Sequence, residues 1–121
     1  MSKGGHASGR WWRAAPLAPG LLLLLGVEAL PRPGDTSPRR YVVEIQSMTF
    51  RPAVLEVEQG DTVVWINRDI VPHTATGTSK PAWSTGTLIL GQSGQYVPRH
   101  SGTTLYFCEL HPVMQGKLII R

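Results

Sequence analysis

Three side chains that can bind a metal lie at regular spacing near the end of the chain. Cys108, His111 and Met114 are three residues apart and follow the β-type run Thr103–Phe107. On a tight loop between neighbouring strands, this spacing lets a thiolate, an imidazole and a thioether converge on one point. His73, thirty-five residues before Cys108 in the printed sequence, is the candidate for a fourth ligand, because a sandwich of two sheets brings loops of both sheets to the same end.

This set of donors selects among metals. Two imidazoles and a thiolate with a weak axial thioether are the ligands of a mononuclear blue-copper electron-transfer site. A thioether is a poor ligand for zinc, and a thiolate is a poor ligand for calcium or magnesium. Cys108 and Met114 together therefore indicate copper, in both of its oxidation states. The alternative is that Cys108, the single cysteine, is an ordinary small buried residue, but the spacing of the other donors would then be a coincidence.

Short strands must position these donors. Alternation of apolar and polar residues, and β-type runs bounded by Gly, Pro, Ser or Asn, predict an all-β fold, a Greek-key β-sandwich of seven or eight short strands. Pro72 and His73 follow the end of one of these strands. The predicted strands cover Tyr41–Ile45, Val54–Glu58, Thr62–Ile66, Thr87–Leu90, Gln95–Val97, Thr103–Phe107 and Lys117–Ile120.

The core is predicted from the same runs. Val63 and Trp65 on one strand and Leu105 and Phe107 on another are the expected packing residues. Trp83 lies in a loop rich in Gly, Ser and Thr, where it could close the core or face the solvent.

The first forty residues have a different composition. Residues 1–29 combine early basic residues with the short apolar run Leu17–Val27 and end at Ala29, which predicts a signal peptide and export to the periplasm. The apolar run is shorter than the roughly 20 residues of a membrane helix, so no stable span is expected after cleavage; an uncleaved N-terminal anchor is the alternative. Residues 30–40 are rich in proline and predict a linker before a domain at 41–121.

The positive charge is concentrated outside the predicted domain. The chain has a formal charge of +4, but from residue 41 onward six basic residues balance six acidic ones. No basic cluster interleaved with aromatic residues occurs there, so a nucleic-acid partner is not expected.

The residues that carry these signals also resemble those of the cupredoxins, the type 1 blue copper proteins. The similarity includes Phe50-Arg51-Pro52, the segment Gly60–Arg68, Pro72-His73 and the loop Cys108–Met114. As a whole, the chain most resembles the amicyanin/plastocyanin-like branch. The gaps of two residues on each side of His111 look most like those of the amicyanins, since plastocyanins have four residues between this His and the Met. This resemblance implies one type 1 copper ion, with His73, Cys108 and His111 as equatorial ligands and Met114 as the axial ligand.

Three positions depart from the pattern that the resemblance implies. Relatives have Asn where this chain has Thr74 and Thr where it has Glu109, and their side chains brace the two ligand loops. The backbone N–H of Thr74 is still expected to bond the thiolate. Relatives have Pro where this chain has Leu110, so we expect an additional backbone N–H beside the sulfur and a raised reduction potential.

The predicted function is the transport of single electrons between exported redox partners by a monomer. The resemblance implies a c-type cytochrome or a quinoprotein dehydrogenase as partner. We expect no enzymatic activity, because a copper oxidase or nitrite reductase domain needs further His clusters, and after residue 40 only His100 is spare. His100 is expected to face solvent. A copper carrier that binds Cu(I) without an electron-transfer role is the alternative.

Overall fold

The structure is a computed structural model that describes residues 36–121 and the single positions 4, 15, 16, 33 and 34. The predicted signal peptide, residues 1–29, lies outside the described residues except at three of those positions, and so do residues 30, 31, 32 and 35 of the predicted linker. The chain divides into two units, Met1–Pro33 and Gly34–Arg121, and the strands of the described residues lie in the second unit. Among the described residues, no helix is long and apolar enough to cross a membrane.

Eight strands form the fold, and the described residues contain no helix, so the all-β prediction is confirmed. The strands are β1 Arg40–Gln46, β2 Thr49–Arg51, β3 Val54–Val57, β4 Thr62–Asn67, β5 Thr76–Gly77, β6 Ser93–Tyr96, β7 Gly102–Phe107 and β8 Gln115–Ile120.

These strands form two four-stranded sheets in the orders β2-β1-β4-β6 and β3-β8-β7-β5. The pairs β1 with β4 and β3 with β8 are parallel, and the other pairs are antiparallel. Since consecutive strands β3 and β4 belong to different sheets, the chain crosses between the sheets, as in the predicted Greek-key sandwich.

Aromatic side chains join the inner faces of the two sheets. The ring of Tyr106 on β7 packs edge-on against Phe50 at 4.7 Å and against Trp65 at 5.3 Å between ring centroids. Trp83 stacks on Tyr96 at 4.3 Å and on Trp65 at 5.2 Å, so it closes the core. Burial of this much aromatic surface is a major stabilising contribution to a domain of this size.

The predicted core residues are confirmed on β4 but wrong on β7. Val63 and Trp65 are fully buried as predicted, but Leu105 is exposed and Phe107 is only half-buried, while Tyr106 is buried. Successive side chains of a strand point to opposite faces of its sheet. The strand presents Thr104 and Tyr106 to the core, which places the two predicted residues on the other face.

The predicted strand Thr87–Leu90 was also wrong. Only Leu88 makes a bridge there, with His73, through hydrogen bonds in both directions between their backbone groups. Ile89 and Leu90 are exposed. This segment therefore supports the chain around His73 instead of extending a sheet.

Candidate metal centre

The loop between β7 and β8 consists of two successive turns. The carbonyl of Cys108 accepts the N–H of His111 at 3.2 Å, and the carbonyl of His111 accepts the N–H of Met114 at 2.9 Å. Each is a bond between residues i and i+3, the pattern of a β-turn, and Pro112 holds position i+1 of the second turn, which proline favours. Because each turn advances three residues, the local backbone explains the spacing of Cys108, His111 and Met114.

A second segment, between β4 and β5, brings His73 to the same place. Asn67, fully buried at the end of β4, organises it through its side chain. The amide nitrogen donates to the carbonyls of Val71 at 2.9 Å and Leu88 at 2.8 Å, and the amide oxygen accepts the N–H of Asp69 at 2.8 Å. Asn67 thus fixes both ends of the turn before His73, a role that the sequence analysis missed.

Three of the four predicted ligands converge on one point. The Nδ1 atoms of His73 and His111 lie 3.8 and 3.7 Å from the sulfur of Cys108. The candidate ligand atoms of these three residues all lie within 4.8 Å of one another, and the two imidazole rings are 5.0 Å apart between centroids.

These distances suit a single metal ion. Thiolate and imidazole donors bind such ions at about 2.3 and 2.0 Å, so donors 120° apart around an ion are separated by about 3.7 Å. The sulfur to nitrogen distances of 3.8 and 3.7 Å match that spacing. Together with the softness of the thiolate, this arrangement fits copper.

Met114, the fourth predicted ligand, is buried beside this cluster. It belongs to the same group of packed core residues as Cys108, and its carbonyl accepts the N–H of Cys108 at 3.1 Å. The backbone therefore closes the loop by pairing its first and last residues.

Thr74 braces the two ligand segments. Its backbone N–H donates to the sulfur of Cys108 at 3.3 Å, as expected, and its hydroxyl accepts the N–H of Glu109 at 2.9 Å. The hydroxyl also contacts that of Thr76 at 3.1 Å, which in turn contacts Ser84 at 2.9 Å. A threonine hydroxyl and a backbone N–H thus provide the brace that relatives were expected to build from other side chains.

The hydrogen bond expected from the Leu110 N–H to the Cys108 sulfur is not formed. Among the hydrogen bonds of residues 36–121, the Cys108 sulfur accepts one backbone N–H, that of Thr74, and none from Leu110. The turn between Cys108 and His111 directs the sulfur toward Thr74 and the histidines. The raised reduction potential predicted from Leu110 therefore loses its structural basis.

Asp69 is a second residue that sequence reasoning missed. Its carboxylate accepts the backbone N–H groups of Ser47 at 2.7 Å and Met48 at 2.9 Å, and it lies 2.9 Å from Nε2 of His73. Burial raises the pKa of Asp69, but the N–H groups of Met48 and Ser47 and the His73 ring lower it, and the net pKa lies below the ordinary value.

The surface beside the cluster is apolar. His111 is half-buried, while Pro72, Pro112 and Val113 are exposed, Val113 to 90%. Among the other exposed apolar residues, Ile70 and Leu110 belong to the two ligand-bearing segments. His100 is exposed, as predicted, and lies outside the cluster.

A two-sheet Greek-key sandwich with a His, Cys and His cluster in loops at one end defines the cupredoxin class. The model of the family described as copper binding proteins, plastocyanin/azurin family, matches residues 39–121. The chain belongs to this family. Members of this family bind copper, and His73, Cys108 and His111 form a possible site for that ion in this chain.

The chain is similar to several amicyanins. It is 34% identical to amicyanin of Paracoccus denitrificans over 83 residues, which cover 65% of this chain and 63% of that protein. It is 28% identical to amicyanin of Paracoccus versutus over 90 residues, covering 71% of this chain and 68% of the relative. A solved structure of a Cu(I) amicyanin variant matches with a TM-score of 0.64 and 30% identity, covering 68% of this chain and 82% of the other.

Proposed function

We propose that this protein is an exported monomeric shuttle for single electrons and that His73, Cys108 and His111 are the equatorial ligands of its copper ion, with Met114 as the axial ligand. The observation that carries this proposal is the separation of 3.7 to 3.8 Å between the Cys108 sulfur and both Nδ1 atoms. Copper supplies the one-electron Cu(II)/Cu(I) couple when it is bound.

The protein residues hold the donors in place. The cysteine sulfur is fully buried, and the N–H of Thr74 supports its thiolate form with a hydrogen bond. His73 is also fully buried, and two backbone hydrogen bonds with Leu88 restrict its position. A donor set fixed in this way changes little when an electron arrives or leaves, which favours fast transfer.

His111 is the proposed point of electron exchange. It is the least buried of the three clustered donors, and the exposed side chains of Pro112 and Val113 follow it directly. A small apolar surface permits the weak, short-lived docking that redox partners use. We propose a c-type cytochrome or a quinoprotein dehydrogenase as partner, by similarity to the amicyanins.

The remaining parts of the proposal concern the N-terminal region. Residues 1–29 would be removed as a signal peptide on export to the periplasm, and residues 30–40 would link the cleavage site to the copper domain at 41–121. The sequence pattern described above supports this organisation. Mass spectrometry of the protein recovered from the periplasm tests it, since cleavage gives a mature chain that begins at Leu30.

Voltammetry of the copper-loaded protein tests the proposed role. A shuttle gives a reversible one-electron wave and is stable in both oxidation states. Binding of Cu(I) alone, without a stable Cu(II) form, would contradict the proposal and favour the copper carrier.

Substitution of Val113→Glu tests the proposed docking surface. Val113 is 90% exposed, so a charge there should preserve fold and spectrum but slow electron exchange with a c-type cytochrome in stopped flow. Val54→Glu is the matched control, because Val54 is an exposed valine on β3, a strand that carries no proposed ligand. Equal rates for both variants would reject the surface beside His111.

A further inference from the structure

The carboxylate of Asp69 connects the His73 ring to the turn between β1 and β2. One oxygen accepts the N–H of Ser47 at 2.7 Å, and the other accepts the N–H of Met48 at 2.9 Å and lies 2.9 Å from His73 Nε2. The His73 side chain is fully buried, and that of Asp69 is 15% exposed. A carboxylate with this many N–H contacts is held in one orientation.

The turn that holds Asp69 has an uncommon backbone. Ser47 and Met48 have φ angles of 53° and 60°, in the left-handed region that residues other than glycine rarely adopt. They are the two central residues of the hairpin, since Gln46 pairs with Thr49. A two-residue hairpin turn with positive φ at both central residues normally favours Asn-Gly or Asp-Gly. Its adjacent N–H groups both point at Asp69, so the turn forms a small anion-binding concavity.

We propose that Asp69 is the positioning residue of His73, and that the turn at Ser47 and Met48 fixes Asp69 for this task. The inference rests on the proposed function, in which His73 Nδ1 binds copper. Because the carboxylate accepts a hydrogen bond from the proton on Nε2, the ring takes the tautomer whose Nδ1 lone pair is free. That atom is the one that faces the Cys108 sulfur, at 3.8 Å.

The contact also makes the ring a better donor. A carboxylate hydrogen-bonded to the far nitrogen of a metal-binding histidine raises the basicity of the ligand. The more basic nitrogen and the negative charge favour Cu(II) over Cu(I). Asp69 therefore lowers the reduction potential and strengthens copper binding.

Substitution of Asp69→Asn tests the proposal, because it preserves size and removes the charge. Mutation of such a partner of a metal-binding histidine typically weakens metal affinity by about 10-fold to 100-fold, and we expect the decrease in affinity to be larger for Cu(II) than for Cu(I). A tenfold difference between the two corresponds to a midpoint raised by about 59 mV for a one-electron couple. An unchanged or lowered midpoint would overturn the proposal.

The matched control is Glu109→Gln, which removes the same charge next to a proposed ligand. Glu109 is exposed, and its contact with the site is through its backbone N–H. We expect the midpoint shift of Glu109→Gln to be less than half of the midpoint shift of Asp69→Asn. Equal shifts would assign the effect to charge alone and would overturn the positioning role.

A measurement on the unsubstituted protein applies even if Asp69→Asn fails to fold. In the diamagnetic Cu(I) form, ¹⁵N-edited NMR should show a slowly exchanging proton on His73 Nε2, and its absence would overturn the proposal. If the unsubstituted protein gives neither blue Cu(II) nor stable Cu(I) binding, the proposed function fails. A normal blue site without the Nε2 proton rejects this inference alone.

Discussion

The hydroxyl of Thr74 accepts the backbone N–H of Glu109 at 2.9 Å, and the N–H of Thr74 donates to the sulfur of Cys108 at 3.3 Å. These bonds join the segment between β4 and β5 to the loop between β7 and β8. The residue after the proposed ligand His73 thus fixes the position of the proposed ligand Cys108. The site depends on this connection between the two segments.

Substitution of Thr74→Val removes the hydroxyl and retains both the shape of the side chain and the N–H to sulfur bond. The partly buried Glu109 N–H then lacks its acceptor, and the net contribution of such a hydrogen bond is about 0.5 to 1.5 kcal/mol. Urea unfolding of the metal-free protein measures this loss. Thr74→Ser, which retains a hydroxyl, should lose less; a valine variant as stable as the original protein would show that the brace contributes nothing.

Met114→Leu should preserve the blue colour and raise the midpoint potential. The axial ligand tunes the potential of such sites, and a side chain that donates no electrons stabilises Cu(II) less than a thioether does. The swap nearly conserves volume at a buried position and should cost less than about 1.5 kcal/mol of stability. Voltammetry and thermal unfolding check both statements. A lowered midpoint would exclude Met114 as the axial ligand.

Tyr106 should make the protein less stable at alkaline pH. Burial raises the pKa of Tyr106 to about 12, and the nearby Trp65 indole opposes the shift slightly, although neither polar atom completes a hydrogen bond. In the unfolded chain the tyrosine hydroxyl loses its proton near pH 10, whereas in the folded protein it keeps the proton up to about pH 12. The free energy of unfolding therefore keeps its full value below pH 10 and falls as pH rises to about 12. At about 1.4 kcal/mol for each unit of pKa difference, the loss is about 3 kcal/mol.

The control for this prediction is Tyr106→Phe, which removes a buried hydroxyl without a hydrogen-bond partner. At pH 7 the two proteins should be similar in stability, within about 1 kcal/mol. Chemical unfolding at several pH values from 9 to 12 should then show the original protein losing stability relative to the variant. Parallel curves over this pH range would be inconsistent with the raised pKa.

Gly116→Ala should disturb the packing of the core next to the loop between β7 and β8. Gly116 pairs with Tyr106 across β7 and β8, and an added Cβ would lie 2.1 Å from Cζ of the Tyr106 ring. Overpacking of this kind typically costs about 1 to 3 kcal/mol. Lys117→Ala, at the exposed next position, should change stability by less than about 0.5 kcal/mol. Equal unfolding midpoints for both variants would refute the close contact.

Local sequence signals were sufficient to predict the strands with clear alternation and the tight loop at residues 108–114. In that loop the spacing of the donors and Pro112 together specify two turns. The inward face of β7 could not be predicted, because Leu105, Tyr106 and Phe107 are all apolar. Packing around Phe50 and Trp65, which come from the other sheet, selects Tyr106.

The role of Asp69 could not be predicted from the sequence, for a different reason. A charged residue in a loop, such as Asp69, ordinarily faces solvent, and its contact with Ser47 crosses 22 positions of the chain. Only the pairing of β1 with both β2 and β4 brings that turn to the end of β4. Asn67 did carry a local signal, since Asn after a strand often forms a turn with the residue two positions on.

The most direct test of the account is the absorption spectrum of the Cu(II)-loaded protein and of its Cys108→Ser variant. The account predicts an intense charge-transfer band at about 600 nm from the bond between copper and the Cys108 thiolate, and loss of that band when serine replaces the cysteine. A colourless Cu(II) complex of the original protein, or a serine variant that retains the band, would contradict it.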